Sequence, residues 1–191
     1  MAIKGGLKKT VKFVLLLTEN MRRTGHLRAA KGETMILGMH HVAISTPDID
    51  RFIDHYERWY GFQRVADGGW QSDNERVGRM VQLPGSAARY AMIRLNDFYI
   101  EVFQYLEPQG ERLERRMCDP GLIHICLYVD DAWAEYERLS ALGMEFHCEP
   151  GGAGTMLATY GRDCDGNVVE LLEVIAQDHP FPYLGARQSA L

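Results

Sequence analysis

The sequence predicts an α+β fold of two βαβββ modules whose eight strands form one curved sheet. Three observations carry this. Hydrophobic periodicity runs strand, helix, strand, strand, strand, and then does so a second time. The two halves match residue by residue, with His41-Val42-Ala43-Ile44 answered by His124-Ile125-Cys126-Leu127, and Tyr99-Ile100-Glu101-Val102-Phe103 by Val168-Val169-Glu170-Leu171-Leu172. The 191 residues, 46% hydrophobic and 25% charged, make an ordinary globular chain with room for one large domain or two small modules.

In the first half, His41–Ser45 is a short apolar strand after Gly38. Pro47-Asp48 opens a helix, because Pro suits a first helical turn and Asp favours the positive end of the helix dipole. Ile49, Phe52, Ile53, Tyr56 and Tyr60 recur at the spacing of one buried face, and Gly61 ends the helix. Phe62–Val65, Arg89–Leu95 and Phe98–Tyr105 read as strands, with the turn pair Asn96-Asp97 between the last two.

The second half opens with the strand Leu122–Val129. Asp130-Asp131 starts a helix with Trp133, Tyr136, Leu139 and Leu142 on one face, and Gly143 ends it. Met144–Cys148, Thr155–Tyr160 and Val168–Ile175 follow as strands, the last two joined by the turn Asp165-Gly166-Asn167. The interval from His to Glu is longer in the first half. Its surplus falls around Trp70–Gly85, a candidate wall or lid for a site.

Composition excludes several functions. A net charge of −5 with interleaved signs leaves no basic excess for nucleic acid. No apolar run approaches the roughly 20 residues needed to span a bilayer. Cys118, Cys126, Cys148 and Cys164 show no C-x-x-C spacing, so reduced thiols in a cytoplasmic protein are expected. The run Phe13–Leu17, although preceded by lysines, is shorter than a signal peptide's apolar core. Residues 1–37 are expected to be an extension and 176–191 a tail. Met35 and Met39 stand just before the first clear strand as alternative initiation points. The modules are placed at 38–106 and 121–175.

Strand alternation puts His41 on one face with Ala43 and Ser45, and Glu101 with Tyr99, Phe103 and Tyr105. His124 falls with Cys126 and Tyr128, and Glu170 with Val168 and Leu172. The opposite faces carry Val42, Ile44, Ile100, Val102, Ile123, Ile125, Leu127, Val169 and Leu171, which suit packing against the two helices. Two imidazoles and two carboxylates on the other, concave side are the ligand set of one divalent ion, Zn, Ni, Co, Mn or Fe. A buried strand carboxylate needs a cation or a hydrogen-bond network, because an unpaired one is costly, and a paired His–Glu structural network is the alternative to the metal. His40 and His41 point to opposite faces, and alignment with His124 selects His41. His26, His55, His147 and His179 are expected at the surface, and Asp163 and Asp165 in turn chemistry.

These residues resemble the vicinal oxygen chelate superfamily, which includes glyoxalase I, methylmalonyl-CoA epimerase, extradiol dioxygenases and the bleomycin and fosfomycin resistance proteins. The resemblance covers residues 38–175. Its most specific pieces are His41-Val42-Ala43-Ile44, the Gly121–His124 strand, and Asp165-Gly166-Asn167 leading into Glu170-Leu171-Leu172-Glu173. It implies metal ligands at His41, Glu101, His124 and Glu170, and a homodimer that completes its cups across two chains. Ser45 and Tyr105 stand where glyoxalase I clamps glutathione, so that substrate is disfavoured. Glu101 stands where acyl-CoA epimerases usually carry Gln, and it would fill a position that extradiol dioxygenases leave open. Drug-sequestering members generally lack the ligands retained here.

The expected partner is a small molecule with a carbonyl or two neighbouring oxygens. Its body would lie against Tyr99, Phe103, Tyr105 and Tyr128, with Trp70 closing over it. The expected chemistry is epimerase-, isomerase- or lyase-like proton transfer through a metal-bound enolate, as in methylmalonyl-CoA epimerase. Glu170 is the first candidate base and Glu101 the second. The alternatives are a lactoylglutathione lyase, an Fe-dependent extradiol dioxygenase and a drug-sequestering resistance protein. No phosphate-cradling glycine motif of the P-loop or dinucleotide type is present.

Overall fold

The computed structural model describes residues 36, 38–112 and 116–182. The extension and most of the tail expected from sequence lie outside the described residues. The chain divides between His40 and His41, and every described strand and helix belongs to the unit that starts at His41.

The architecture is α+β, as expected. The elements run β1 (His41–Ser45), α1 (Ile49–Tyr60), β2 (Gln63–Trp70), α2 (Glu75–Met80), β3 (Ala87–Leu95), β4 (Phe98–Glu107), β5 (Ile125–Tyr128), α3 (Ala132–Ala141), β6 (Glu145–Phe146), β7 (Met156–Arg162) and β8 (Val168–Val174). The eight strands pair as two four-stranded sheets, ordered β1-β4-β3-β2 and β5-β8-β7-β6. In each module the first strand runs parallel to the last, and the other pairings are antiparallel. Among the described residues no helix is long and apolar enough to cross a membrane.

The two long helices begin alike. Asp48 and Asp131 are N-caps in extended conformation, accepting hydrogen bonds from the amides of Arg51 and Ala134 at 3.1 and 2.9 Å. The helix that Pro47 was expected to open thus starts one residue after its Asp cap. Glu173 adds a carboxylate acceptor at 2.9 Å for the Ala132 amide. Gly61 ends α1 at φ +76°, and Phe62 closes the turn by donating to the Tyr56 carbonyl.

Several elements differ from expectation. β2 extends to Trp70, because an edge strand needs no alternating apolar pattern and its first seven residues are exposed. Gly68 sits within it, where a Cβ would collide with the Tyr90 ring. The surplus segment holds a short helix, α2, capped by Asn74. β5 starts only at Ile125, so His124 immediately precedes the strand, and Ile123, expected in the core, is exposed. β6 is reduced to two residues.

One hydrophobic core serves both modules. Phe52, Ile53 and Tyr56 of α1 join Ile93, Ile100 and Val102 of the first sheet, and the same cluster contains Leu139, Met144, Val169 and Leu171 of the second module. Burying each such side chain is worth about 1.5–3 kcal/mol. Polar ties accompany it. The Tyr56 hydroxyl donates to Asp163, Arg51 donates to the Cys164 carbonyl and pairs with Asp165, and Arg138 donates to the Trp59 carbonyl. His55, expected at the surface, is buried beside the Trp59 ring.

Candidate metal centre

The register of each sheet sets two equivalent sites. In the first module Glu101 on β4 lies between Ala43 of β1 and Met92 of β3, with His41 two residues before Ala43 on the same face of β1. His41 Nε2 approaches Glu101 Oε2 at 3.2 Å. In the second, Glu170 on β8 lies between Cys126 of β5 and Tyr160 of β7, and His124 Nε2 approaches Glu170 Oε2 at 3.0 Å. Strand alternation explains the placement. Residues flanking each Glu along its strand turn into the core, as Ile100, Val102, Val169 and Leu171 do at 0–1% exposure.

The structure therefore brings His41 to Glu101 and His124 to Glu170. Among the described residues, no group of three or more His, Cys, Asp or Glu within one chain is arranged to hold a metal ion. In each pair one ring nitrogen lies against one carboxylate oxygen. The donor chemistry fits a divalent cation, which accepts from both atoms at once, and the four residues together make a two-imidazole, two-carboxylate set. The Nδ1 atom of His124 is buried without a hydrogen-bond partner, so the ring's polar contact is made through Nε2.

The surroundings of the two carboxylates differ. The Glu101 side chain is 24% exposed and that of Glu170 is 11% exposed. The Tyr160 hydroxyl donates to Glu170 Oε1 at 3.0 Å, and its ring stands edge-on to His124. Burial, and then that hydrogen bond, raise the Tyr160 phenol above its usual range. Burial, followed by the charge of Glu170, pushes the Cys126 thiol up to about 12, so it stays protonated beside the carboxylate. Neither Tyr160 nor Cys126 was expected as a site residue from sequence. The signal was available, since a hairpin centred on Asp165 places position 160 opposite position 170. All four cysteines are free thiols.

An aromatic wall flanks Glu101. Trp70 packs edge-on to Phe103 and Tyr105 at ring distances of 5.9 and 5.8 Å, and Tyr90 lies 6.1 Å from Phe103. Trp70 is 8% exposed and its indole N–H donates to Ser86 Oγ at 3.1 Å. It thus stands as part of the wall. Tyr99 pairs in register with His41, and Tyr128 stands on the corresponding face of the second sheet, paired with Leu172. Asp163 does turn chemistry, accepting from the amides of Asp165 and Asn167 and from the Asn167 side chain. A cavity of about 590 Å³ has His124 in its lining, together with Ile44, Ile123, Ile125, Arg116 and Arg162.

Comparison with known proteins agrees with this fold. A family model described as the Glyoxalase/Bleomycin resistance protein/Dioxygenase superfamily matches residues 38–171. A 2-epi-5-epi-valiolone epimerase from Actinomyces is 31% identical over 113 residues, which span 55% of this chain and 58% of that protein's length. A glyoxalase family protein from Bacillus cereus superposes with a TM-score of 0.68 at 21% identity, covering 77% of this chain and all of that one. The fosfomycin resistance protein FosX from Listeria monocytogenes, in complex with Mn(II) and sulfate, superposes at 0.51 with 17% identity, covering 81% of this chain and 99% of that one. With repeated modules, repeated His–Glu pairs and a family match over most of its length, the chain belongs to the glyoxalase/bleomycin resistance/dioxygenase superfamily.

Proposed function

We propose that this chain is a metal-dependent epimerase, isomerase or lyase that moves a proton at the carbon next to a carbonyl. The observation that carries the reading is the His–Glu pair repeated in both modules, His41 with Glu101 and His124 with Glu170. These four residues would hold one divalent ion, of Zn, Ni, Co, Mn or Fe. Because the two pairs do not assemble within one chain, the first module of one copy and the second module of another are proposed to complete each site in a homodimer. When bound, the ion supplies Lewis-acid polarisation of an oxygen.

The chain's own residues do the rest. Glu101 and Glu170 are the two candidate bases for taking the proton from the carbon and returning it. Trp70, Phe103 and Tyr105, with Tyr99 beside His41, form the wall against which the substrate body lies and exclude water from the reacting face. Tyr128 contributes from the second module. The epimerase relative supports this class of reaction over ring cleavage.

Metal analysis of protein purified without chelator is the first test. One divalent ion per chain, lost in His124→Ala and Glu170→Ala, is expected, and unchanged metal content in both variants overturns the site. The reaction is tested by incubating the metal-loaded protein with acyl-CoA thioesters, hemithioacetals, cyclic polyhydroxy ketones and catechols in deuterated water while oxygen is recorded. Deuterium entering the carbon next to the carbonyl without oxygen loss is expected. Oxygen consumption with a catechol would replace the reading with ring cleavage, and tight binding with neither signal would replace it with sequestration.

A further inference from the structure

The two carboxylates of the repeat are chemically alike but are not held alike. Glu170 sits between two strand neighbours that carry polar hydrogens, Tyr160 and Cys126. The Tyr160 hydroxyl donates to Oε1 at 3.0 Å, which leaves Oε2 as the oxygen facing His124 Nε2. The corresponding neighbours of Glu101 are Met92 and Ala43. Neither can donate a side-chain hydrogen bond, so neither directly opposite neighbour ties that carboxylate as Tyr160 ties Glu170. The Glu101 side chain is also about twice as exposed.

The geometry points to Tyr160 as a positioning residue that fixes Glu170 as the permanent carboxylate ligand, leaving Glu101 as the one that can release the cation. This rests on the proposed metal site and deepens it. A carboxylate with one oxygen tied by a hydroxyl presents its other oxygen in a single orientation, so little freedom is lost when an ion binds. A carboxylate without that tie must be ordered by the ion itself, and it departs more readily when a substrate oxygen competes. Partners that orient a ligand in this way typically change metal affinity about 10–100-fold when removed.

Affinity for Co(II) alone, measured by competition with a chromophoric chelator, tests this without a substrate. Tyr160→Phe keeps the ring against His124 and removes only the hydroxyl. It is expected to weaken Co(II) binding about 10-fold or more and to alter the Co(II) absorption bands, with the melting temperature of the metal-free protein little changed. Glu170→Gln is expected to weaken binding more than Glu101→Gln, and Met92→Leu is the control that should alter neither affinity nor spectrum. Equal losses in the two Gln variants, or Tyr160→Phe binding Co(II) as the parent does with the same spectrum, overturns the inference while leaving the metal site standing. Failure of the unmodified protein to bind Co(II) overturns both.

Discussion

The hydroxyl of Tyr56 on α1 donates to Asp163 Oδ2 at 2.9 Å, joining residues 107 positions apart and both modules of the repeat. Asp163 is also the acceptor that organises the β7–β8 turn through Asp165 and Asn167. One buried carboxylate thus ties the helix of the first module to the hairpin that carries Glu170. Burial, and then the charge of Asp163, hold the Tyr56 phenol well above its usual range, so it remains a donor at all ordinary pH.

Tyr56→Phe should therefore destabilise the protein with little change in packing. A hydrogen bond to a charged acceptor is worth roughly 1.5–3 kcal/mol. Denaturant unfolding of the metal-free protein should show a loss of this size. A midpoint unchanged within error would mean that the carboxylate is satisfied without the hydroxyl.

His55 predicts a pH dependence. Burial lowers its pKa below the ordinary 6.5, and the charges of Arg51 and Arg58 act in the same direction, against the opposing pull of Asp163 and Asp165. The Nε2 atom is buried without a partner, among Tyr56, Trp59 and Tyr60. A base whose folded pKa is lowered binds fewer protons folded than unfolded. Its stability contribution is then complete above pH 6.5 and is lost as pH falls from 6.5 through the folded value. The slope in that window is at most about 1.4 kcal/mol per pH unit for one group. Unfolding between pH 7.5 and 5 should show this decline, flattened in His55→Phe, and an equal decline in the variant would place the titration elsewhere.

Much of the fold and site is legible in the sequence because it is local. Alternation sets His41 and Glu101 on one sheet face with Ile100 and Val102 on the other, and the Asp caps and helical spacing place α1 and α3. What is not legible depends on long-range packing. His55 is buried because the two modules share a core around α1, which the helix's own periodicity does not record. The separation of the two His–Glu pairs within one chain has the same origin, since a repeat shows that sites are equivalent but not which copies face each other. β2 reads short in the sequence because an exposed edge strand containing Gly68-Gly69 carries the composition of a loop.

The inequivalence of Glu101 and Glu170 predicts which one carries the proton. In deuterated water with any turned-over carbonyl compound, Glu101→Gln should lower deuterium incorporation far more than it lowers Co(II) affinity. The expected loss is about 10²–10⁴-fold, the usual contribution of a general base. Glu170→Gln should lower metal affinity at least as much as turnover at limiting metal. This reverses the order of candidates expected from sequence alone. The opposite pattern, with Glu170→Gln selectively losing turnover while keeping its metal, would restore that order.

The proposed completion of each site across two copies predicts complementation. A His41→Ala chain retains an intact second module, and a His124→Ala chain an intact first module. Each variant alone forms homodimers in which every site lacks one imidazole. Unfolding and refolding the two together at equal concentration gives half of the dimers as mixed pairs. In a mixed pair, one site draws its first module from the His124→Ala chain and its second from the His41→Ala chain, and so has all four ligands, while the other site lacks both imidazoles. About a quarter of the sites should therefore regain tight Co(II) binding, where either variant alone shows none. Sites built within a single chain would give no recovery on mixing, because every chain carries a lesion. Sedimentation of the mixture shows whether dimers formed. Dimers without recovered binding would therefore exclude the shared site, and a monomer with full metal content in the unmodified protein would exclude it independently.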